Sequence, residues 1–455
     1  MGKLKSKYPK WRKWFFGAGD SAGSISHTII AFFFLFYLTD TVGLRPALAG
    51  SVLMIGKLWD AISDPLLGHI SDNTRSRFGR RRIYLLVFAL PLGLSFFFLW
   101  ALPTGLSAGI TFLIATFAYI LHTTFFTTIM VPYQALLPEM VSEYDERTSF
   151  TAYRMFFSII WGLFAVAIPD IIINSAPSKT TGYMIMGAIF ALIITIAPIF
   201  PFLGCYETVK PIKKSKFIGF KAYLKPIFKN IPFRYATSIY FFTWSGIALV
   251  ETMFLYFFTY WLGKADLFYI VVAILFISAT AFLPLWVKLS EKLEKKLCYI
   301  IGISSLSIGL LLTLLITPTT PTWVIYMLVV YLSFGVSAAH VIPHSLIPDC
   351  IDYGEYINKS HSEGIYYGLI TFFYKIGVAI VIWLSGIILE LSGYINPKGL
   401  DVIQPASAIL SIRLMQSLAP ALFLVVGVIF AFMYPLNKNI HKALRRRIKS
   451  RKEEN

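Results

Sequence analysis

Asp60 and Asp64 stand four residues apart in the run LWDAISDPLLGH. At about 100° per helical residue this spacing puts the two carboxylates one turn apart on nearly the same face, where they can converge on one cation. An aspartate at the centre of a membrane helix is unfavourable by roughly 2.5–3.5 kcal/mol, so a pair needs a partner or a wet cavity. Hard cations such as Na⁺ take oxygen ligands of this kind. The competing reading is an internal ion pair with Lys57, three residues before Asp60, or with arginines downstream.

Other ionisable residues interrupt apolar stretches. Lys375 lies mid-run in GIYYGLITFFYKIGVAIVIWLSGIILELSGY, too far from either end to snorkel easily to water, and needs an anionic neighbour. Facing two aspartates, it would supply the counter-charge when no cation is bound. Arg154 brings a planar fork able to grip hydroxyls or a carboxylate, or to tether an acidic loop. Asp20, Ser24 and His27 follow the i, i+4, i+7 rule and form a polar stripe on one helix face. A lone Glu251 requires protonation or a partner, because desolvation opposes its charge. His122, His340 and His344 lack metal-ligand spacing and read as hydrogen-bonded core groups.

The elements that must position these residues are membrane helices. Of 455 residues, 57% are hydrophobic and only 14% charged, against about 25% charged in soluble domains; the mean hydropathy is +0.69. Apolar runs of the roughly 20 residues that a crossing needs fall near 15–40, 46–71, 82–102, 107–137, 149–174 and 181–204. Six more fall near 234–262, 267–288, 296–316, 321–347, 364–393 and 408–435. The expectation is an all-α membrane protein with twelve transmembrane helices.

The net charge of +18 resembles that of a nucleic-acid binder, but the basic residues sit in short connections and tails rather than on one soluble face. Arg75, Arg77, Arg80, Arg81 and Arg82 follow the second run, a Lys-rich stretch follows the sixth, and Lys438 to Lys452 close the chain. PTGLSAG and TPTTPT on the alternate connections are uncharged, so the bias puts both termini in the cytoplasm of a cell, with the plasma (inner) membrane as the expected location. No cleavage site follows the basic start, so no removable leader is expected. Cys205, Cys298 and Cys350 have no metal-like spacing and read as free thiols.

The longest basic connection, 205–233, divides the chain into a six-helix half at 1–204 and another at 234–436, with a basic tail at 437–455. VPYQALLPE ends the fourth run and VIPHSLIPD the tenth, a weak internal symmetry of the kind that secondary transporters use around a midplane site. With no nucleophile motif and no phosphate-binding glycine loop, the chain reads as no enzyme and no ATPase. Its coupling would be to an ion gradient.

LWDAISDPLLGHISDNTRSRFGRRR, VPYQALLPE, YDERTSFTAYRM and the Lys375 helix together resemble the glycoside-pentoside-hexuronide cation symporters of the major facilitator superfamily, of which melibiose permease is the best-known member. The resemblance runs from the first span to the last. It implies two pseudo-symmetric halves, a coupling cation, Na⁺ or H⁺, at Asp60 and Asp64 with Ser63, Thr127 and Lys375 beside them, and Arg154 near the substrate. The other expected substrate residues are Asp20 and Ser24 of the polar stripe, with Met130 and Gln134. Met130 and Ser24 stand where the permease has acidic residues, which removes its two principal sugar-binding carboxylates. Animal lysolipid symporters share the aspartate pair, the VPY element and TAYRM. The leading expectation is therefore a cation-coupled symporter of a sugar or glycoside by alternating access, with a lysolipid or other amphiphile as the alternative, and a non-transporting membrane sensor third. The expected partners are that small molecule and the bilayer.

Overall fold

In lipid every backbone N–H and C=O must be satisfied within the chain, and long apolar runs do this as helices. In a computed structural model, every regular element among the described residues is helical. The structure describes residues 8–141, 143–207, 229–358, 363–398 and 402–438, together with 440, 441, 443, 444, 446, 447 and 450. Most of the connection at 205–233 and part of the basic tail lie outside them.

The chain divides into two compact units, Met1–Lys216 with Gly386–Ile403, and Phe217–Ser385 with Gln404–Asn455. The first contains α1 (Lys10–Ala18), α2 (Asp20–Ile29), α3 (Pro46–Asn73), α4 (Arg82–Val87), α5 (Ala89–Trp100), α6 (Ala108–Met140), α7 (Tyr144–Ser175), α8 (Lys179–Ile196) and α9 (Ile199–Gly204). The second contains α10 (Ile231–Tyr256), α11 (Phe268–Lys292), α12 (Lys295–Leu312), α13 (Thr322–Asn358), most of α14 (Glu363–Leu391), α15 (Ala406–Gln416) and α16 (Leu418–Met433). In the first unit α3 packs on α6, α2 on α7 and α5 on α8; in the second, α13 packs on α11 and α12, and α10 on α16.

Nine helical stretches among the described residues are long and apolar enough to cross a membrane. The three remaining expected spans are also helical, but interrupted or polar. The first is broken into α1, α2 and two wide π-type turns at 30–34 and 37–41, the second is α3 with its charged residues, and the third divides at Phe88 into α4 and α5. Large apolar side chains such as Phe117, Leu192 and Met327 stand exposed on the helix surfaces, as a lipid solvent permits.

The first long helical stretch of each unit ends in the same way. Val42 N donates to Tyr37 O and Leu44 N to Leu38 O, while 220 residues later Leu262 N donates to Phe257 O and Lys264 N to Phe258 O. Gly43 and Gly263 hold φ of 80° and 62° at these ends, a conformation that a Cβ would strain. The paired exit sequences have related surroundings as well. Glu139, after VPYQALLP, receives Arg80 and Arg81, and Asp349, after VIPHSLIP, receives Lys295 at 2.7 Å and faces His441 at 3.6 Å.

The C-terminal end of α14 packs within the first unit. Tyr394 donates its hydroxyl toward both Asp40 oxygens at 2.9 and 2.8 Å, Ala47 N donates to Glu390 Oε2 at 2.9 Å, and Asn396 Nδ2 to Gly43 O at 3.1 Å. A division of the chain at 205–233 groups this segment with residues 234–436.

Candidate functional site

Asp60 is 5% exposed on α3. Thr127 Oγ1 donates to Asp60 Oδ1 at 2.9 Å from the facing helix α6, and Ser63 Oγ donates to Asp60 O at 3.2 Å within α3. Thr127 and Ser63 are both buried. Asp64, one turn on, is half-buried. Pro65 sits inside the helix and has no N–H, so the carbonyl of Ala61 loses its usual i+4 donor. A carboxylate, two hydroxyls and a freed carbonyl are hard oxygen donors suited to an alkali cation. Among the described residues no cluster of three or more His, Cys, Asp or Glu could hold a metal ion, so hydroxyl and carbonyl oxygens must complete any such set.

The close packing of α3 on α6 fixes this geometry. A Cβ at Gly56 would lie 2.1 Å from the Tyr119 ring, so only glycine lets α6 approach one turn before Asp60. Trp59 Nε1 donates to Thr124 Oγ1 at 2.8 Å, tying the same two helices on the more exposed side.

The expected substrate residues fall on α2, α6 and α7. Arg154 Nε lies 3.9 Å from Asp20 Oδ1, an ion pair too long for a hydrogen bond, and that buried nitrogen has no hydrogen-bond partner among the described residues. Ser24 Oγ donates to Ser158 O at 2.6 Å, so its proton serves α7. Met130 is buried and its methyl group meets the backbone of α2 at Gly23, where a Cβ would come within 2.5 Å. Gln134, a turn further on α6, is exposed. Asp20 and Arg154 are thus brought together, Ser24 is bonded to α7 and Met130 lies against α2, and Gln134 is exposed.

Lys375 is 9% exposed and belongs to the second unit, as does the half-buried Glu251. Each expected core histidine has a hydrogen-bonding neighbour. His122 contacts Ser26 Oγ at 2.8 Å and Ser95 Oγ at 3.2 Å, His344 contacts the Tyr240 hydroxyl at 3.2 Å, and His340 Nδ1 contacts Val336 O at 2.9 Å. Because Ser95 donates to Leu92 O at 2.8 Å, the His122 contact has the ring Nδ1–H donating to Ser95.

Sequence reasoning left out a cluster of acids and arginines in the first unit. Glu139 accepts from the guanidinium groups of Arg80 and Arg81, and Arg81 also reaches Asp72 Oδ1 at 2.7 Å. Glu207 accepts three backbone N–H groups, from Arg80, Arg81 and Arg82, at 2.8, 2.7 and 2.8 Å. The signal available was the GRRR run together with the acid closing VPYQALLPE. Glu207, 125 residues downstream of Arg82, has no local pattern to mark it.

The family described as MFS/sugar transport protein matches residues 15–438. An uncharacterized symporter of Synechocystis, sll1374, is 29% identical, with 97% of this chain and 96% of that protein covered. The Sodium-dependent lysophosphatidylcholine symporter 1-A of Danio rerio is 27% identical over 94% of this chain and 86% of its own length. Among solved structures, a bacterial homolog to the human lysosomal transporter Spinster superposes with a TM-score of 0.67 at 13% identity, covering 95% of this chain and 98% of that one. The xylose transporter XylE of E. coli gives 0.63 at 13% identity, covering 95% and 99%. At these identities the structures establish the fold.

Proposed function

The chain belongs to the MFS/sugar transport protein family of multi-pass membrane transporters, and from that membership we propose that it is a Na⁺-coupled symporter of a single-chain amphiphile of the lysophospholipid type. The coarser reading is a cation-coupled secondary transporter of a small organic solute. The finer one places Na⁺ at Asp60, Asp64, Ser63 and Thr127, assigns Lys375 to the coupling machinery, and reads twelve helices in two six-helix halves with both termini in the cytoplasm. The plasma membrane is its proposed location.

The observation that carries the cation site is the buried Asp60 carboxylate bonded by Thr127. Only binding that differs between states shifts their populations, so Na⁺ must prefer the substrate-ready form. The amphiphile moves ahead of the sugar for two reasons. Six relatives at 25–27% identity carry lysophosphatidylcholine in their names, and the two positions where the family resemblance expects sugar-binding acids hold a buried methionine and a serine committed to Ser158 O. A glycoside stays the second reading, favoured by the Asp20–Arg154 pair with its unpartnered Nε.

Uptake by cells expressing the protein decides between them. Fluorescent lysophosphatidylcholine that resists extraction by albumin should accumulate with external Na⁺ and not with choline in its place. Accumulation of radiolabelled glycosides alone would reverse the order, and uptake of either without a cation gradient would remove the coupling claim.

A further inference from the structure

The helix α14, Glu363–Leu391, runs unbroken, yet its residues up to Ser385 belong to the second unit and Gly386–Ile403 to the first. Transporters built of repeated halves move those halves as largely rigid bodies, exposing a site to one side and then the other. An element shared by two such bodies must bend or let go when they move. The ties between residues 386–398 and the first unit are suited to letting go.

Several of them are polar groups in reach of water. Glu390, its side chain 34% exposed, accepts from Ala47 N and lies 3.8 Å from the exposed Arg45, and Asn396 Nδ2 donates to Gly43 O. Water replaces such partners when they separate, so each adds little net resistance, unlike an apolar helix seam. The buried tie is Asp40 with Tyr394, 5% and 7% exposed. The Tyr394 hydroxyl spans both carboxylate oxygens, and Thr39 Oγ1 donates to Oδ2. Packed dry, a carboxylate needs those donors. Opened to water it is hydrated, which favours an open form that an apolar residue here would oppose.

The placement fits a closure. Asp40 lies on the wide turn at 37–41, an irregular winding of the kind found at functional sites, which ends at Gly43. Across from it, Gly393 at φ 80° ends α14, and Tyr394 N donates back to Leu389 O. α3 begins at the same place, where a Cβ at Gly386 would lie 2.4 Å from Pro46 O. Its other end, 28 residues and about 42 Å away, is tied by Arg81 at Asp72, and Asp60 stands between the two ties. We propose that Asp40 and Tyr394 are the closing pair of a strap, residues 386–398, that covers the Asp40 end of the first unit and releases when the transporter opens there. The inference rests on membership of a transporter family and not on the amphiphile reading.

The test uses the full-length protein in lipid nanodiscs, with Thr41→Cys as the reporter beside Asp40, a position 8% exposed in this structure. A polar maleimide labels it, and the adducts are mapped by mass spectrometry. Tyr394→Phe keeps the ring and removes the hydroxyl. The thiol at 41 should then react about tenfold faster, the effect of one lost hydrogen bond to a carboxylate, while the buried Cys350 of the second unit keeps its rate. An unchanged rate at 41 overturns Tyr394 as the closing residue, and equal acceleration at Cys350 shows general loosening and overturns the strap. A second variant carries Glu390→Cys with Ala47→Cys, joined by a short reducible bis-methanethiosulfonate. Uptake of lysophosphatidylcholine should be lost on joining and return with dithiothreitol. Undiminished uptake while joined makes 386–398 a permanent part of the first unit and overturns its release. Where the variant takes up nothing before joining, the labelling rates, which need no substrate, decide.

Discussion

Thr127 donates its hydroxyl hydrogen to Asp60 Oδ1 across 2.9 Å, joining α6 to α3 at a point where both residues are buried. An ionised carboxylate held there is stabilised by the donor and by any bound cation, and a site that uses both should depend on each.

Thr127→Ala should therefore weaken the apparent Na⁺ affinity of uptake by about tenfold or more, because a hydrogen bond to a charged group contributes about 1.5–3 kcal/mol. Thr127→Ser keeps the hydroxyl and should remain close to wild type. Titration of uptake against Na⁺ reads both; an unchanged half-saturation in the alanine variant would remove Thr127 from the site.

Asp60→Cys is expected to abolish Na⁺-driven accumulation, while binding of the amphiphile, read by thermal shift, survives. Lys375→Gln should also remove the Na⁺ dependence. If Lys375→Gln shows normal Na⁺-driven uptake, the lysine has no part in coupling.

Arg154→Lys exchanges a planar fork for a point charge. At a site where the guanidinium meets Asp20 at 3.9 Å and keeps a buried Nε unpartnered, the substrate concentration for half-maximal uptake should rise about tenfold with the Na⁺ dependence unchanged. A change in Na⁺ dependence alone would instead place Arg154 in the cation machinery.

Glu207→Ala leaves three backbone N–H groups of Arg80, Arg81 and Arg82 without their acceptor. A loss of about 1–3 kcal/mol is expected, visible as a lower melting temperature in detergent. Glu207→Gln keeps one acceptor oxygen and should lose less.

Cys205 lies just beyond α9, fully buried, and burial pushes its thiol up to about 12 despite the opposing charges of Arg82 and Arg12. The thiolate is the reactive form, so alkylation by maleimide at pH 7.5 should be slow and should quicken as pH rises. All three cysteines are free and buried, so rapid labelling is expected only after denaturation in SDS. Fast modification of the folded protein at pH 7.5 would contradict this packing.

Much of the fold was legible in the chain because helix formation in lipid follows a local sum. Any run long and apolar enough must pair its own backbone, whatever its neighbours do. The same rule misjudged continuity, since Gly19, Phe88 and the wide turns before Gly43 interrupt runs that read as unbroken. The position of Asp60 and Asp64 on one helix also followed from spacing, whereas Thr127 entered only through a family resemblance, 67 residues away from its partner.

The sequence by itself determined the helical segments, the poverty of charge that makes each buried ion conspicuous, and the aspartate pair. Only the tertiary structure decided which groups those ions meet: Asp20 meets Arg154, Asp40 meets Tyr394, and Glu139 meets Arg80 and Arg81. Hydropathy accumulates along the chain and survives averaging. A contact between helices depends on their rotation and register, set by close approaches such as Tyr119 on Gly56 and Met130 on Gly23, and these are properties of two surfaces packed together rather than of either run alone.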